Sequence, residues 1–407
     1  MIKVNKPKIR FNEFENTWIK SKLGELYEVY SGNTPSRSDS RNYQNGEIPW
    51  IKTTDLNNSI VYANEEKISV YGATKLKVLP EKSVLIAMYG GFNQIGRTGL
   101  LAYPATINQA LAALMPVNEI NPNFLLNFLN FKKESWRNVA ASSRKDPNIT
   151  KNDVEKFIIS FPSLEEQSAI GTLFRTLDDL LASYKDNLAN YQSLKATMLA
   201  KMFPKAGQTV PEIRLDGFEG EWELIKLGDF CDLITKGTTG KSQSEQGMVN
   251  FVKVENLKDN EIYPIVKISE EEHFGSLKRS ILYEGDILFS IAGTLGRTAI
   301  VKNNILPANT NQALAIIRGY KLDAYFLLVV LSGEVVKDYI RKNPTVGAQP
   351  NLSLEQVSSL KIKIPSLDEQ QAIGSYFSNL DNLINSHQEK ISQLEKLKKK
   401  LLQDMFI

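Results

Sequence analysis

The sequence predicts a mixed α/β protein that consists of two similar globular domains, each followed by a long helix. Three observations support this prediction. The 407-residue chain repeats itself at a period of about 203 residues. Two segments of about 40 residues have the pattern of long helices, and the stretches before them alternate short apolar runs with turn residues. Because the period is too long for a solenoid repeat, it indicates that a whole domain and its connector are duplicated.

The duplication is clearest in the two connectors and continues through both halves. Residues 161–203 and 364–406 align without a gap and are identical at about 18 of 43 positions. We therefore expect domains at 1–160 and 204–363 and helices at 161–203 and 364–407. The shorter matches pair Ile9-Arg10 with Ile213-Arg214, Trp18 with Trp222, Lys22-Leu23-Gly24 with Lys226-Leu227-Gly228, Gly96-Arg97-Thr98 with Gly296-Arg297-Thr298, and Asn108-Gln109-Ala110-Leu111-Ala112 with Asn311-Gln312-Ala313-Leu314-Ala315.

Each connector begins with a helix start signal. Ser163 and Ser366 each follow a proline and precede a glutamate by three residues. This spacing is that of a capping box, in which the serine hydroxyl and the glutamate carboxylate each bind a free backbone amide of the first turn. The two connectors are therefore predicted to be helical from these serines onward.

An apolar stripe predicts that the two long helices pack together as a coiled coil. A helix of this length extends for about 60 Å, and a single apolar face along it needs a partner. Its own duplicate is the simplest partner, and two unrelated surface helices are the alternative. The stripe recurs at near-heptad spacing and includes Leu177, Leu181, Leu188 and Met198 in the first helix and Leu380, Ile384, Ile391 and Leu401 in the second.

The globular stretches have the pattern of compact α/β domains. Strands are expected at 84–88, 287–291 and 313–317, where short apolar and β-branched runs are bounded by turn residues. Helices are expected at 122–139 and 322–341.

Composition restricts the class of protein without naming a partner. A single cysteine, Cys231, excludes a disulfide framework, and two histidines, His273 and His387, leave little material for a metal centre. The first residues lack the apolar stretch of a secretory signal, and no run approaches the ~18 apolar residues of a membrane span, so we expect a cytoplasmic protein. Residues 1–160 carry 21 Lys and Arg against 15 Asp and Glu, whereas residues 204–363 carry 19 against 20. A phosphate-binding surface in the second half would therefore require clustering of its cations.

Each candidate catalytic motif in the sequence lacks a residue that its chemistry requires or matches its pattern only loosely, so we expect a protein without a catalytic centre. The stretch 235–242 lacks the first glycine of a phosphate-binding loop, because Thr235 stands there. The segments at 146–149 and 343–346 lack the second proline and the aromatic residue of an amino-methyltransferase motif. Asp55, Glu65 and Lys67 only loosely match a nuclease pattern, which has no copy in the second half.

The duplicated motifs resemble those of one known family. P-S-L-E-E-Q-S-A-I (Pro162 to Ile170) and P-S-L-D-E-Q-Q-A-I (Pro365 to Ile373) look like the helix signature of Type I restriction–modification specificity subunits. The opening I-R-F-x-x-F-x-x-x-W (Ile9 to Trp18), with its copy at 213–222, is similar to the start of their target-recognition domains. The resemblance covers essentially the whole chain in the family's order of domain, helix, domain and helix.

The resemblance implies an architecture and a set of partners. The two helices would form an antiparallel coiled coil that relates two target-recognition domains by a pseudo-twofold axis. Each domain would read one half of a bipartite, gapped sequence in double-stranded DNA. Two methyltransferase subunits would dock on this scaffold and supply S-adenosylmethionine chemistry, and ATP-driven restriction subunits would join them. The specificity subunit itself would bind no cofactor.

The duplication also separates two kinds of candidate DNA contact. Residues identical in both halves cannot explain how two domains read different sequences, so Arg97 and Arg297 are candidates for phosphate contact or a structural role. Asn108-Gln109 has the side chains of an adenine reader, although hydrogen bonds that cap a strand start are the favoured interpretation. Divergent loops are better candidates for base contact. The loop candidates are Asn33, Thr34, Arg37, Tyr89, Asn93, Gln94, Arg144 and Lys145 in the first half and Lys236, Thr238, Lys241, Thr294 and Gln349 in the second. Lys52 and Lys253 follow apolar strand-like runs and are candidates for phosphate contact.

The sequence leaves open an alternative function and the location of the partner surface. The near-neutral second domain favours an alternative function, a protein-binding scaffold with two lobes on a helical stalk. If the chain instead reads DNA, its partners would bind the outward helix faces near Glu165-Glu166-Gln167 and Glu369-Gln370, a hypothesis that rests on position alone.

Overall fold

The computed structural model describes residues 6–140, 147–240, 247–342 and 351–407. The chain divides into two compact units, one formed by residues 1–186 with 389–407 and the other by residues 187–388.

The first unit contains the strands and helices of the first globular half. Its strands are β1 (Ile19–Lys22), β2 (Val29–Ser31), β3 (Ile48–Ile51), β4 (Ser59–Val61), β5 (Lys67–Ile68), β6 (Val84–Ala87), β7 (Thr98–Leu101), β8 (Thr106–Ile107), β9 (Leu111–Leu114) and β10 (Ile158–Phe161). Its helices are α1 (Leu23–Leu26), α2 (Val70–Ala73), α3 (Pro122–Phe131), α4 (Lys133–Ala140), α5 (Lys151–Lys156) and the first part of α6 (Leu164–Lys201).

The second unit repeats this sequence of elements. Its strands are β11 (Glu223–Lys226), β12 (Cys231–Lys236), β13 (Val249–Val252), β14 (Leu257–Lys258), β15 (Glu261–Ile262), β16 (Val266–Ile268), β17 (Ile287–Ser290), β18 (Thr298–Ile300), β19 (Ala308–Thr310), β20 (Leu314–Tyr320) and β21 (Lys361–Ile364). Its helices are α7 (Glu270–Phe274), α8 (Ala324–Ser332), α9 (Glu334–Lys342), α10 (Leu354–Ser358) and the first part of α11 (Leu367–Met405).

Sheet topology shows the duplication directly. The first unit has one sheet in the order β2-β9-β6-β7-β4 and a second in the order β5-β3-β8. The second unit has the orders β12-β20-β17-β18 and β16-β13-β19, which match except that the larger sheet lacks a fifth strand equivalent to β4. In both units the inner strand of the smaller sheet pairs with one neighbour parallel and with the other antiparallel. The two halves of the sequence therefore adopt the same fold.

The predicted strands are confirmed, whereas each predicted domain helix is two helices. β6, β17 and β20 lie at the expected positions. The expected helix 122–139 is divided at Lys132 and the expected helix 322–341 at Gly333. In each case the first helix is buried on nearly all sides, whereas the second has one buried face. Glycine is also disfavoured inside a helix by about 1 kcal/mol relative to alanine, which favours the break at Gly333.

The central strands are apolar because both of their faces are covered. In β6, Val84 and Ile86 pack into a core shared with the helices, and Leu85 and Ala87 pack into a second core. β17 alternates in the same way, with Ile287 in the first kind of core and Leu288 in the second. Because alternate residues serve two cores, these strands appear in the sequence as continuous apolar runs.

The far end of a long helix completes the core of each unit. In the first unit the ring of Phe406, just after α11, lies 5.5 Å from Phe124, 5.7 Å from Phe174 and 6.4 Å from Trp18, measured between centroids. In the second unit Phe203, just after α6, lies 5.8 Å from Trp222, 6.0 Å from Phe326 and 6.1 Å from Phe377. Each aromatic cluster thus joins its globular half to the start of one helix and the end of the other.

A buried ion pair anchors the start of each long helix. Arg10 donates to both carboxylate oxygens of Glu166, each at 2.7 Å, and Arg214 donates to those of Glu369 at 2.7 and 2.8 Å. Glu166 and Glu369 are almost fully buried. The carboxylate raises the pKa of Arg10, chiefly through these hydrogen bonds.

These contacts correct two sequence-based predictions. The serine hydroxyls accept long hydrogen bonds from the amides of Glu166 and Glu369, but the carboxylates turn to the arginines rather than completing a capping box. Gln167 and Gln370 are buried too, and each donates to a proline carbonyl that precedes its helix. The side chains of Glu166, Gln167, Glu369 and Gln370 are therefore buried within their own units and do not form an outward partner surface. Of the five residues predicted to do so, Glu165 is the exposed one.

The two long helices run antiparallel to each other within each unit. In the first unit Asp178 pairs with Lys398, and Lys185 lies 2.7 Å from Glu395. In the second unit Lys195 pairs with Asp381, and the ring of Tyr191 lies 5.2 Å from that of His387. In both, rising residue numbers in α6 face falling numbers in α11.

The predicted stripe lies along this pairing, although its burial varies. Leu177, Leu181, Leu380 and Ile384 are buried. The other four residues of the stripe, Leu188, Met198, Ile391 and Leu401, are only half-buried. Leu177 and Leu380 belong to the aromatic cores of their units, and Met198 and Leu401 pack against the edges of the same cores as partly buried residues.

Replacement of Phe406 by alanine tests the aromatic cluster. We expect the free energy of unfolding of the first unit to fall by about 3–5 kcal/mol, because the substitution leaves a cavity among aromatic rings. Urea unfolding followed by tryptophan fluorescence measures the change. Leu397→Ala on the exposed face of the same helix is the control, expected within about 0.5 kcal/mol of the unmodified protein. Equal effects of the two substitutions would contradict the role assigned to Phe406.

Replacement of Arg10 by methionine tests the buried ion pair. We expect a loss on the order of 3 kcal/mol, because the buried Glu166 carboxylate is left without its cation. The double substitution Arg10→Met with Glu166→Leu should recover most of that loss, because no charge then remains buried. Thermal and urea unfolding measure both; a double variant less stable than Arg10→Met would refute this account.

Candidate nucleic-acid interface

In the first unit, three strand ends bring several candidate residues together. The amide of Asn33, after β2, donates to the carbonyl of Ile107 at 3.2 Å, and the amide of Asn108 donates to the carbonyl of Ile51 at 3.0 Å. Thr34, Lys52 and Gln109 are therefore neighbours, although they are far apart in sequence. We call this group, with Asn33, the first strand-end site.

Close backbone packing holds the loop of this site in place. A Cβ atom at Gly32 would overlap the carbonyl oxygen of Ile107, so the tight approach of the two segments requires glycine. The indole N–H of Trp50 donates to the carbonyl of Asn33 at 3.2 Å. The hydroxyl of Thr34 donates to the side-chain oxygen of Gln109. The exposed side chains of Asn33 and Gln109 are thus presented on a fixed backbone.

A charged and aromatic cluster adjoins the first strand-end site. The guanidinium of Arg37 lies 4.2 Å from the ring centroid of Tyr43 and 2.5 Å from a carboxylate oxygen of Glu66. Lys52 contacts the other oxygen of Glu66 at 2.8 Å. Hydrogen bonds from Arg37 and Lys52 lower the pKa of Glu66, although burial opposes the shift. Arg37 and Lys52 share the carboxylate of Glu66, and the carboxylate of Asp55 also lies close to Lys52.

The second unit has a matching site with different neighbours. The amide of Thr238 donates to the carbonyl of Thr310 at 3.1 Å, and the hydroxyl of Thr239 donates to the side-chain oxygen of Gln312 at 2.7 Å. Lys253 follows β13 as Lys52 follows β3. Lys236, the last residue of β12, is exposed. We call Thr238, Thr239, Lys253 and Gln312 the second strand-end site.

The two strand-end sites differ in the residue that lies near the equivalent lysines, Lys52 and Lys253. The strand register places Val266 in the second unit where Glu66 stands in the first. Lys253 therefore has no carboxylate at the position where Lys52 has Glu66, since Val266 packs there against an apolar cluster of its own unit. The two units thus present the same backbone with different charges around it.

A hairpin loop supplies the next group of candidates in the first unit. It joins β6 to β7 and carries Tyr89, Asn93, Gln94 and Arg97. Tyr89 and Asn93 are exposed, whereas the Arg97 guanidinium donates to the carbonyl of Asn93 at 3.1 Å. The amide of Met88 donates to the carbonyl of Ala110 at 2.8 Å, so the loop starts beside the strand-end site.

The matching hairpin of the second unit uses its arginine differently. Arg297 donates to the carbonyls of Val254 and Leu257, each at 3.2 Å. The exposed Thr294 is held through its carbonyl, which accepts from Ser290 at 2.6 Å. Neither Arg97 nor Arg297 shows a carboxylate partner among the described residues; both brace backbone segments of their own unit. Phosphate contact by their remaining N–H groups stays a prediction.

Other candidates lie elsewhere. Arg144, Lys145, Lys241 and Gln349 fall outside the described residues. Asn108 and Asn311 cap their own turns, because their side-chain oxygens accept from the amides of Ala110 and Ala313. The repeated Asn-Gln-Ala-Leu-Ala segment marks Gln109 and Gln312 in the sequence, where capping of a strand start is the favoured interpretation; in the structure the asparagines do the capping, and each glutamine accepts a hydrogen bond from a threonine.

Neither a metal centre nor a membrane span is found in the described part of the chain. In residues 6–140, 147–240, 247–342 and 351–407, no group of three or more His, Cys, Asp or Glu side chains is placed to hold a metal ion. Across the same residues, no helix combines the length and the apolar character that crossing a membrane requires.

Comparisons with known proteins agree with this geometry. The family model described as Type I restriction modification DNA specificity domain matches residues 15–190 and again residues 219–396. The chain therefore belongs to this family. The match occurs twice, once for each half of the duplication.

Named relatives and solved structures extend over the same length. The chain is 23% identical over 399 residues to the Type I restriction enzyme MjaVIII specificity subunit of Methanocaldococcus jannaschii, covering 95% of this chain and 91% of the relative. It is 22% identical over 389 residues to the EcoprrI specificity subunit of Escherichia coli, covering 91% and 89%. The crystal structure of the S subunit of a Type I restriction–modification system from M. genitalium matches with a TM-score of 0.66 at 17% identity, covering 99% of both chains. At that identity the likeness shows the shared fold.

The pH dependence of stability tests the cluster around Glu66. Because the folded-state pKa of Glu66 is lowered, its stabilisation is present above the unfolded-state value of about 4.3 and is lost as the pH falls through the folded-state value. We expect Glu66→Gln to lower the free energy of unfolding by about 0.2–1 kcal/mol at neutral pH and by less in acid. Urea unfolding at a series of pH values measures this difference.

The neighbouring Glu65 provides the control. Its side chain is exposed, so Glu65→Gln should change stability little at any pH in the series. If Glu66→Gln destabilises the protein equally at neutral and acid pH, the charge interaction with Arg37 and Lys52 is not its cause.

Proposed function

We propose that this protein is the DNA-recognition subunit of a Type I restriction–modification system and has no catalytic centre of its own. The observation that carries the proposal is the pair of strand-end sites, which repeat one backbone geometry and surround it with different side chains. Membership of the DNA specificity family supports this proposal. So do the matches to named specificity subunits, which extend over nearly the whole length of those relatives.

Each globular half would read one part of a bipartite sequence. A reader of two different half-sites needs a common frame that docks on the duplex and variable groups that reach base edges. The exposed hairpin loops differ in their hydrogen-bonding groups: counted back from the shared glycines Gly96 and Gly296, Asn93 and Gln94 stand where the second unit has Gly293 and Thr294. These loops would therefore supply the base contacts, while the shared elements position them.

The long helices would serve the assembly of the complex. We propose recognition domains at 1–160 and 204–363 and scaffold helices at 161–203 and 364–407. Two methyltransferase subunits would bind the scaffold, and restriction subunits would join them, with S-adenosylmethionine and ATP bound by those partners. A solved structure from work on complex assembly of the Type I restriction–modification system supports this proposal. It matches this chain with a TM-score of 0.51 at 19% identity and covers 95% of this chain and 96% of the matched chain.

A map of methylated adenines tests the proposed function. The chain would be co-expressed with its cognate methyltransferase subunit in a host free of other DNA methylation, and long-read sequencing would locate modified adenines. We expect a motif in two parts with an unspecified gap. Substitution of Asn93 and Gln94 by alanine should relax or abolish one part and leave the other unchanged, because those residues lie in the first unit alone.

The alternative function gives a different result. A protein-binding scaffold would produce no methylation even when a soluble complex forms with the methyltransferase subunit. A motif that both substitutions leave unchanged would preserve the proposed function but remove the hairpin of the first unit from base recognition.

A further inference from the structure

The two strand-end sites share one polar pair. In the first unit the hydroxyl of Thr34 donates to the side-chain oxygen of Gln109, and in the second Thr239 donates to that of Gln312 at 2.7 Å. Both glutamines are exposed, and each follows an asparagine that caps the same turn. This pairing survives in both copies, although the loops around it have diverged.

The hydrogen bond from threonine decides which groups each glutamine offers to a partner. The hydroxyl occupies one of the two lone pairs of the amide oxygen, whereas both donors of the side-chain NH₂ group stay available, so the glutamine offers mainly a donor group to a partner. A donor group fits phosphate oxygens well. It fits the bidentate adenine contact less well, because that contact also requires the amide oxygen as an acceptor.

The presence of the same threonine–glutamine pair in both units is a second argument against base reading by the glutamines. The proposed function requires two units that read different sequences, and an identical contact cannot distinguish them. An identical contact to the DNA backbone is expected, because phosphates are present at every sequence and fix the register of the protein on the duplex.

A lysine strengthens this assignment in both units. Asn108 donates to the carbonyl of Ile51, and Asn311 donates to that of Val252, so Lys52 and Lys253 begin beside the glutamine turns. Each site thus combines a cation with an amide donor. In the second half, where acidic residues slightly outnumber basic ones, such local pairing is what a phosphate contact requires.

We infer that Gln109 and Gln312, each oriented by its threonine, are matching phosphate anchors that set the register of each recognition domain on DNA. The inference rests on the proposed function. It assigns Thr34 to the positioning of Gln109 rather than to a base contact, and it gives Thr239 the same role toward Gln312.

The test uses the full chain in complex with its methyltransferase subunit. Affinities for a target duplex and for an unrelated duplex would be measured for Gln109→Ala and Gln312→Ala over a range of salt concentrations. We expect each substitution to weaken both affinities by the same factor, about 3- to 10-fold, since a phosphate contact carries no sequence information. The methylated motif should stay unchanged.

Further variants separate the anchor from a mere charge effect. Lys253→Ala should reduce the slope of log affinity against log salt by about 1, because a cation that neutralises a phosphate is lost, and Lys52→Ala should reduce it by less because Lys52 pairs with Glu66. Removal of the neutral glutamine should leave the slope unchanged. Thr34→Val and Thr239→Val keep the side-chain shape and should give smaller losses than removal of the glutamine. The exposed Gln208→Ala, in the second unit, is the matched control and should have no effect.

The outcomes that overturn the inference are distinct. Relaxation of the motif at one base in the corresponding half would make the glutamine a base reader. Unchanged affinity in a variant with an unchanged melting temperature would leave the pair with a local structural role. If the unsubstituted complex itself bound no DNA, the proposed function would fail before the anchors were tested.

Discussion

The fold depends on one packing constraint, namely that a phenylalanine at the end of a long helix completes the aromatic core of each unit. Phe406 packs among Phe124, Phe174 and Trp18, and Phe203 packs among the corresponding rings of the second unit. Such clusters bury large apolar areas and are tightly packed. Because each cluster includes the far end of a helix, neither globular half has a complete core formed from its own continuous segment.

This constraint leaves the exposed loops free to differ. The core strands have apolar residues on both faces, and the buried Arg10–Glu166 and Arg214–Glu369 pairs fix the helix starts identically in both units. Substitutions there would cost several kcal/mol. Loop residues such as Asn93 and Thr294 are exposed and can change with little effect on stability. A duplicated core can therefore carry two different recognition surfaces.

The electrostatic difference between the units is local. Glu66 neutralises part of the charge of Arg37 and Lys52 in the first unit, whereas Val266 takes its position in the second. The first half has an excess of basic residues and the second does not. At the first strand-end site, however, the Glu66 carboxylate pairs with Arg37 and Lys52 and offsets part of that excess. The charge around each strand-end site therefore depends on the placement of individual carboxylates rather than on the bulk charge of its half.

The sequence by itself determined the duplication, the two long helices and three of the core strands, β6, β17 and β20, because these depend on periodicity and apolar pattern, which are local properties of the chain. It did not determine the broken helices at Lys132 and Gly333, since a continuous apolar run does not reveal which faces will be covered. It also identified the candidate loops but not their internal partners. The tertiary structure decided that Glu166 pairs with Arg10 and that Thr34 orients Gln109, because residues 156 and 75 positions apart meet only when strands and helices have packed.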